Sequence, residues 1–280
     1  MASGRRIRHA QPQERGGDDE DQAGHERPER GQDLRLPPGR ESNYAADRAA
    51  AGEIERHIPH AAAAARQNRE FVGRVVGHLA GAGVRQFLDI GSGLPLLNGR
   101  DVHEIAQRVS PDCRVVYVDY DAVAVSHAKG LLESGAEESV TAIGGDLRDP
   151  GQILRDAKGL LDFGQPVAVL LFAVLHFLRD DEDPHGAVSC LKEALSSGGA
   201  LAISHITGEG ISPDRSRAAQ EVYEGASAPA VPRTRDEITR FFDGLHLVAP
   251  GVTDIALWPG KLGEAEIPLS FYGGAGIKPQ

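Results

Sequence analysis

The feature that most constrains this chain is a short apolar strand that ends at a carboxylate and runs directly into a glycine-rich turn. Phe87, Leu88 and Ile90 have the apolar character of a buried parallel strand. Gly91 and Gly93 then permit a sharp turn and the close approach of a ligand, and a helix can begin after them. The pattern indicates a nucleotide-like ligand, although an ordinary strand-to-helix turn has the same glycines.

Two later strands also end at carboxylates, which favours the ligand-binding interpretation. Residues 113–119 form an apolar run that ends at Asp119, and Asp146 follows a third short strand and two glycines. Because the carboxyl ends of parallel strands meet at one edge of a sheet, we expect Asp119 to accept hydrogen bonds from the hydroxyls of a ribose. Asp146 would bind an adenine amino group, with Tyr120 against the ring.

The order and spacing of these three positions are typical of class I S-adenosylmethionine-dependent methyltransferases and not of dehydrogenases. A dinucleotide fingerprint needs a third glycine three positions after Gly93, where this chain has Leu96. A short-chain dehydrogenase needs a Tyr followed four positions later by Lys, and none of the five tyrosines meets that condition. A nicotinamide cofactor is therefore disfavoured.

Seven segments resemble, in order, the actinobacterial S-adenosyl methyltransferase family, which was first defined as a domain of unknown function. They are residues 43–48, 85–95, 102–107, 115–119, 146–150, 173–177 and 272–274. The resemblance runs from about Asn43 to the C terminus. It implies S-adenosylmethionine as cofactor and an α/β fold: a doubly wound, Rossmann-like sheet of seven strands, the last antiparallel, with helices on both faces.

The cofactor residues follow from the same positions. Asp89 and the glycine-turn backbone would hold the amino-acid end of the cofactor, Asp119 the ribose, and the segment after the third strand the adenine. The expected cofactor-binding residues are Asp89, Gly91, Ser92, Gly93, Leu94, Asp119, Tyr120, Asp146 and Leu147.

Two histidines follow strands at the edge where the methyl donor would bind. His176 comes after the predicted fourth strand and His205 after the fifth, so either is a candidate general base if the acceptor must lose a proton. The alternative for His176 is a half-buried side chain bonded to a backbone carbonyl. His103, near a predicted helix start, is interpreted as a capping or surface group.

The charge and composition of the chain limit the classes of methyl acceptor that it can use. With a formal net charge of −11, the chain lacks the clustered cations that bind nucleic acid. A small molecule or a protein is the expected methyl acceptor. No apolar stretch approaches the roughly 20 residues of a membrane span, and the N terminus is too polar for a secretory signal, so we expect a cytoplasmic protein. Cys113 and Cys190 are interpreted as reduced thiols, and no metal is expected.

Residues 1–41 are polar and highly charged, which predicts either disorder or a segment that is out of frame with the rest. Relatives in the family carry an Arg-Ile-Tyr-Asp-Tyr-like segment here. With suitable codons, reading residues 32–36 one base later produces that segment. A non-catalytic protein that binds S-adenosylmethionine is the alternative function, because a defect here would remove contacts that the family makes.

The remaining chain divides into a cap and a catalytic domain. Residues 42–84 are predicted to form an N-terminal helical cap, in which Tyr44, Asp47 and Arg48 would either face the cofactor or form salt bridges on the helix surface. Residues 85–280 are predicted to form the methyltransferase domain. In it, residues 206–232 would be either a substrate lid, with Tyr223 as its most suggestive side chain, or a flexible surface loop. The sequence leaves the acceptor and the oligomeric state open.

Overall fold

The structure is a computed structural model that describes residues 61–93, 100–133, 138–209, 230–259 and 271–280. The described helices are α1 (Ala61–Gly81), α2 (Val102–Val109), α3 (Ala122–Glu133), α4 (Pro150–Ala157), α5 (Pro184–Ala194) and α6 (Arg235–Arg240). Two 3₁₀ turns lie at Leu175–Phe177 and Asp180–Glu182. The described strands are β1 (Gln86–Ile90), β2 (Arg114–Asp119), β3 (Val140–Gly144), β4 (Val167–Phe172), β5 (Ala200–Ile206), β6 (His246–Leu247), β7 (Thr253–Asp254) and β8 (Phe271–Ile277).

One sheet contains all of these strands. Strands β1 to β5 are parallel in the order β3-β2-β1-β4-β5, and β8 follows antiparallel to β5. The predicted antiparallel last strand is confirmed. The sheet has eight strands rather than seven because two short strands share its outermost position: β6 pairs with Gly276 and Ile277, and β7 with Tyr272 and Gly273.

The core has two layers, one on each face of the sheet. Phe87, Val115 and Leu170 belong to an apolar cluster with helices α1, α2 and α3. Their neighbours along the strands point the other way and join a second cluster with α4, α5 and α6. This alternation explains why β4 is apolar at every position: a central strand covered by helices on both faces buries all of its side chains.

Helix α1 is the amphipathic helix that the sequence predicts. Phe71, Val75, Val76 and Leu79 are fully buried on the sheet, and the ring of Phe71 meets that of Phe172 edge-on at 5.7 Å. Because α1 ends shortly before β1 begins, the helix runs antiparallel to β1. Its first turns therefore lie at the carboxyl edge of the sheet, where the predicted site residues are.

Asp183, the last residue of an acidic run at 180–183, caps a helix. Asp183 accepts a hydrogen bond of 2.9 Å from the backbone N–H of Gly186 and begins α5. Within the described ranges, no group of three or more His, Cys, Asp and Glu residues is arranged to hold a metal ion. Nor does any helix in them combine the length and apolar character of a membrane span.

Candidate active site

Gly91, in the turn after β1, is packed too closely to accept a side chain. Gly91 and Gly93 have φ angles of +78° and +62°, a region that L-residues rarely adopt. A Cβ on Gly91 would lie 2.5 Å from Cγ2 of Val174. The backbone N–H groups of Gly91 and Ser92 donate to the carbonyl of Val118 at 2.8 and 3.1 Å. The turn thus contacts the end of β2 and the segment that follows β4.

Asp119 at the end of β2 is buried and fixes the glycine turn. Its Oδ2 accepts a hydrogen bond of 2.5 Å from the N–H of Gly93, and its Oδ1 accepts one of 3.0 Å from the N–H of Asp121. A carboxylate oxygen can accept more than one hydrogen bond. The position is therefore compatible with the predicted ribose contact, while it also holds the turn in place.

Asp89 in β1 is buried, and its carboxylate has no hydrogen-bond partner in the described part of the chain. Burial, followed by the nearby carboxylates of Asp101 and Asp119, raises the pKa of Asp89 to about 7. The Asp89 carboxylate is therefore available to a positively charged group of a ligand.

The predicted adenine residues lie together, but the structure adds an arginine to them. Arg148 donates from Nη2 to Oδ2 of Asp146 at 2.6 Å and from Nη1 to Oε1 of Glu182 at 3.1 Å. Its guanidinium lies 5.5 Å from the ring centre of Tyr120, which is 62% exposed. Hydrogen bonds to Asp146 raise the pKa of Arg148 further. Leu147 is buried beneath this group.

His205 is buried, and both of its ring nitrogens are engaged. Nε2 lies 3.0 Å from Nη1 of Arg233, and Nδ1 lies 2.7 Å from the carbonyl oxygen of Ile206. Because a guanidinium can only donate, Nε2 accepts and Nδ1 carries the hydrogen. Burial lowers the pKa of His205 to about 3, and the charge of Arg233 contributes to this shift. His205 has the carbonyl-bonded environment that the sequence analysis considered for His176.

His176 lies in the 3₁₀ turn after β4 and is fully buried. Neither ring nitrogen has a hydrogen-bond partner among the described residues. The ring packs 4.5 Å from that of Phe177 and 5.4 Å from that of His205. Burial, followed by the charges of His205 and Arg233, lowers the pKa of His176 well below its ordinary value. The imidazole is therefore neutral, with one nitrogen able to accept a proton.

Arg233 is the residue of this region that the sequence analysis missed. Its guanidinium is buried and donates to the carbonyls of Leu175 and Leu178 at 3.3 and 3.0 Å and to Oδ1 of Asp180 at 2.7 Å. These bonds fix the turn that carries His176. The only sequence signal was an arginine placed directly before the capping box of α6, which does not reveal burial.

Some predicted residues stand apart from the site or outside the described residues. His103 binds the hydroxyl of Tyr117, with Nδ1 2.7 Å from that oxygen, and lies at the start of α2. Leu94, Tyr44, Asp47, Arg48 and Tyr223 fall outside the described residues, as does most of the predicted lid.

The sheet order, the glycine turn and the carboxylates at the strand ends define a class I methyltransferase. The chain belongs to the S-adenosyl methyltransferase family, whose model matches residues 25–279. S-Adenosylmethionine is therefore its cofactor. The described residues fit this cofactor, because buried polar atoms of Asn68 and His176 have no hydrogen-bond partner among them and the carboxylates of Asp89 and Asp119 lie at the carboxyl edge of the sheet.

Two solved structures are similar over most of their length. A protein from Thermobifida fusca YX described as a methyltransferase is 35% identical, with 91% of this chain and 96% of that chain covered and a TM-score of 0.82. A DUF574 family protein from Streptomyces avermitilis MA-4680 is 36% identical, with 89% and 97% covered and a TM-score of 0.80. The plantazolicin methyltransferase BamL, at 13% identity and a TM-score of 0.51, shares the fold. No protein of curated function matches the sequence.

Proposed function

We propose that this protein methylates a small molecule or a protein, and that His176 is the group that meets the acceptor. One observation carries the proposal: a fully buried histidine with two unbonded ring nitrogens sits beside the cofactor turn. Val174, two positions before His176, is the residue whose methyl group touches Gly91. The packing of Val174 on Gly91 therefore places His176 close to the glycine turn that would hold the cofactor.

His205 and Arg233 support His176 in this proposal. The Arg233 guanidinium holds the carbonyls of the 3₁₀ turn, and His205 packs against the ring of His176. Because both nitrogens of His205 are already bonded, we assign it a positioning role and give the proton-accepting role to His176 alone. This narrows the two candidate bases of the sequence analysis to one.

Methyl transfer requires alignment of the acceptor with the methyl group of the cofactor and a base that accepts one proton. The bound cofactor supplies an electrophilic methyl group on a sulfonium sulfur. The glycine turn and Asp119 orient the reactants, and the apolar surroundings of His176 exclude water. For a hydroxyl acceptor, the unprotonated nitrogen of His176 accepts the proton. Its lowered pKa makes it a weak base, which favours an acidic hydroxyl such as a phenol over an aliphatic alcohol.

We place this activity in the cytoplasm of an actinobacterium. Cys113 and Cys190 are free thiols, in keeping with a reducing compartment. The two similar structures above 30% identity come from Thermobifida and Streptomyces. The net charge of −11 supports an acceptor other than a nucleic acid.

The test uses methyl-labelled S-adenosylmethionine with an actinobacterial extract divided into small-molecule and protein fractions. We expect label in one fraction. His176→Gln should reduce label transfer about 100-fold, within the usual range for a general base, and leave cofactor affinity within about twofold. His246→Gln, at an exposed position on β6, is the control. Cofactor binding without transfer to any fraction would instead support the non-catalytic alternative.

A further inference from the structure

Three polar groups near the carboxyl edge of the sheet have no partner in the described chain. The Arg69 guanidinium is half-buried and makes no hydrogen bond or ion pair with a described residue. Oδ1 of Asn68 is buried and accepts no hydrogen bond. The Asp89 carboxyl group is buried and accepts none either. An unsatisfied buried acceptor is costly, so Oδ1 of Asn68, together with the two charged groups near it, indicates a missing ligand.

The helix packing brings Arg69 towards the site. Helices α1 and α2 each run from the carboxyl edge of the sheet to its amino edge, so they are parallel to each other. They meet at Gly73, where a Cβ would lie 3.8 Å from Cδ1 of Ile105. One turn earlier on each helix stand Arg69 and Asp101. Burial lowers the pKa of Arg69, and the Asp101 carboxylate opposes that shift.

Asp101 also connects Arg69 with Asp89. The negative charge of its carboxylate raises the pKa of both Arg69 and Asp89. The carboxylate of Asp119, at the end of β2, also raises the pKa of Asp89. Burial raises the pKa of the neighbouring Tyr117, a hydrogen bond from the backbone of His103 opposes that shift, and the carboxylates of Asp89, Asp101 and Glu104 add to it. The region therefore places one cation and several anions around the entrance to the glycine turn. An α-amino acid, with a carboxylate and an ammonium group on one carbon, has the complementary charges.

We propose that Arg69 and Asn68 of α1 complete, with Asp89, the binding site for the amino-acid end of the cofactor. The guanidinium of Arg69 binds the carboxylate, and Oδ1 of Asn68 and the Asp89 carboxylate accept hydrogen bonds from the ammonium group. This inference rests on the proposed methyltransferase function. It makes α1 part of the cofactor site, in addition to its role in the core.

The test follows S-adenosylmethionine and a neutral thioether that lacks the amino-acid end, and compares the affinity for each ligand between wild type and variant. 5′-Methylthioadenosine retains the adenosine and the sulfur of S-adenosylmethionine but lacks the amino-acid group. By calorimetric titration, Arg69→Met should weaken S-adenosylmethionine binding about 10- to 100-fold and leave 5′-methylthioadenosine binding unchanged. Arg155→Met, an exposed arginine on α4, removes the same charge and should change neither affinity. Equal loss for both ligands, or no loss for either, would overturn the assignment.

Proton release provides a second readout that does not depend on the fold of an arginine variant. At about pH 7 roughly half of the Asp89 carboxyl groups carry a proton, which an ammonium partner displaces. Titrations in two buffers of different ionisation enthalpy should therefore show about half a proton released per cofactor bound. Asp89→Asn should abolish the release, and release that persists in this variant would exclude Asp89 as the ammonium acceptor. If the wild-type protein binds neither ligand, the proposed function itself fails.

Discussion

The backbone N–H of Gly93 donates a hydrogen bond of 2.5 Å to Oδ2 of Asp119. This bond joins the end of β2 to the turn that follows β1, although 26 residues separate the two groups in sequence. The carboxylate expected to bind a ribose is therefore also the group that shapes the turn beneath it. Cofactor affinity and local stability are coupled through one side chain.

Asp119→Asn tests that coupling. An amide has one acceptor oxygen, so its NH₂ group must face the N–H of either Gly93 or Asp121, and a charge-assisted bond is lost. We expect a loss of about 2 kcal/mol in unfolding free energy and at least a tenfold loss of cofactor affinity. Urea unfolding and calorimetry measure the two effects. Asp156→Asn, on the exposed side of α4, should change stability by less than about 0.5 kcal/mol.

Gly91→Ala should damage the site, whereas Gly77→Ala should not. The added methyl group at position 91 would stand 2.5 Å from Val174, and its φ of +78° is strained for alanine. We expect a loss of about 2 kcal/mol or more in stability and weak cofactor binding. Nothing lies within 4 Å of a Cβ on Gly77 in α1, so that substitution should stabilise the helix by about 0.5–1 kcal/mol. Similar thermal midpoints for the two variants would contradict this account.

The pH dependence of stability should reveal Asp89 in the cofactor-free protein. In the folded protein the pKa of Asp89 is raised to about 7, above its ordinary value. The contribution of Asp89 to the free energy of unfolding is therefore present at acidic pH and is lost as the pH rises through 7. The loss amounts to about 4 kcal/mol between roughly pH 4 and pH 7. The lowered pKa values of His176 and His205 act in the opposite direction below about pH 6.5. The difference between wild type and Asp89→Asn isolates the carboxyl group, and unfolding curves that stay parallel with pH would refute the shift.

Arg233→Met should destabilise the 3₁₀ turn that carries His176. Removing the guanidinium leaves the carbonyl of Leu178 and Nε2 of His205 without their donors, at a cost of about 1–3 kcal/mol each. Loss of its charge should also raise the pKa of His205, which NMR titration of the imidazole can follow. Arg233→Lys should not restore stability, because an ammonium lacks the planar fork. Arg240→Met, exposed on α6, is the control.

Local patterns in the sequence were sufficient for most of the fold. The sequence predicts an antiparallel last strand, which is β8, and Thr234 and Glu237 form a capping box that begins α6. These features depend on neighbouring residues, whose hydrogen bonds and apolar periodicity act over a few positions. The short strand β7 was missed because two residues carry no periodic signal, and its existence depends on the distant edge of β8.

The sequence by itself determined the alternation of strands and helices, the glycine turn and the carboxylates at the strand ends, and with them the cofactor class. Only the tertiary structure decided which groups remain unsatisfied. His176 and His205 both follow strands, but Arg233, far from both in sequence, engages one of them and leaves the other unbonded. Arg69 likewise lies near Asp101 only because α1 packs against α2. Burial and hydrogen-bond partners depend on contacts between distant segments, which no local pattern specifies.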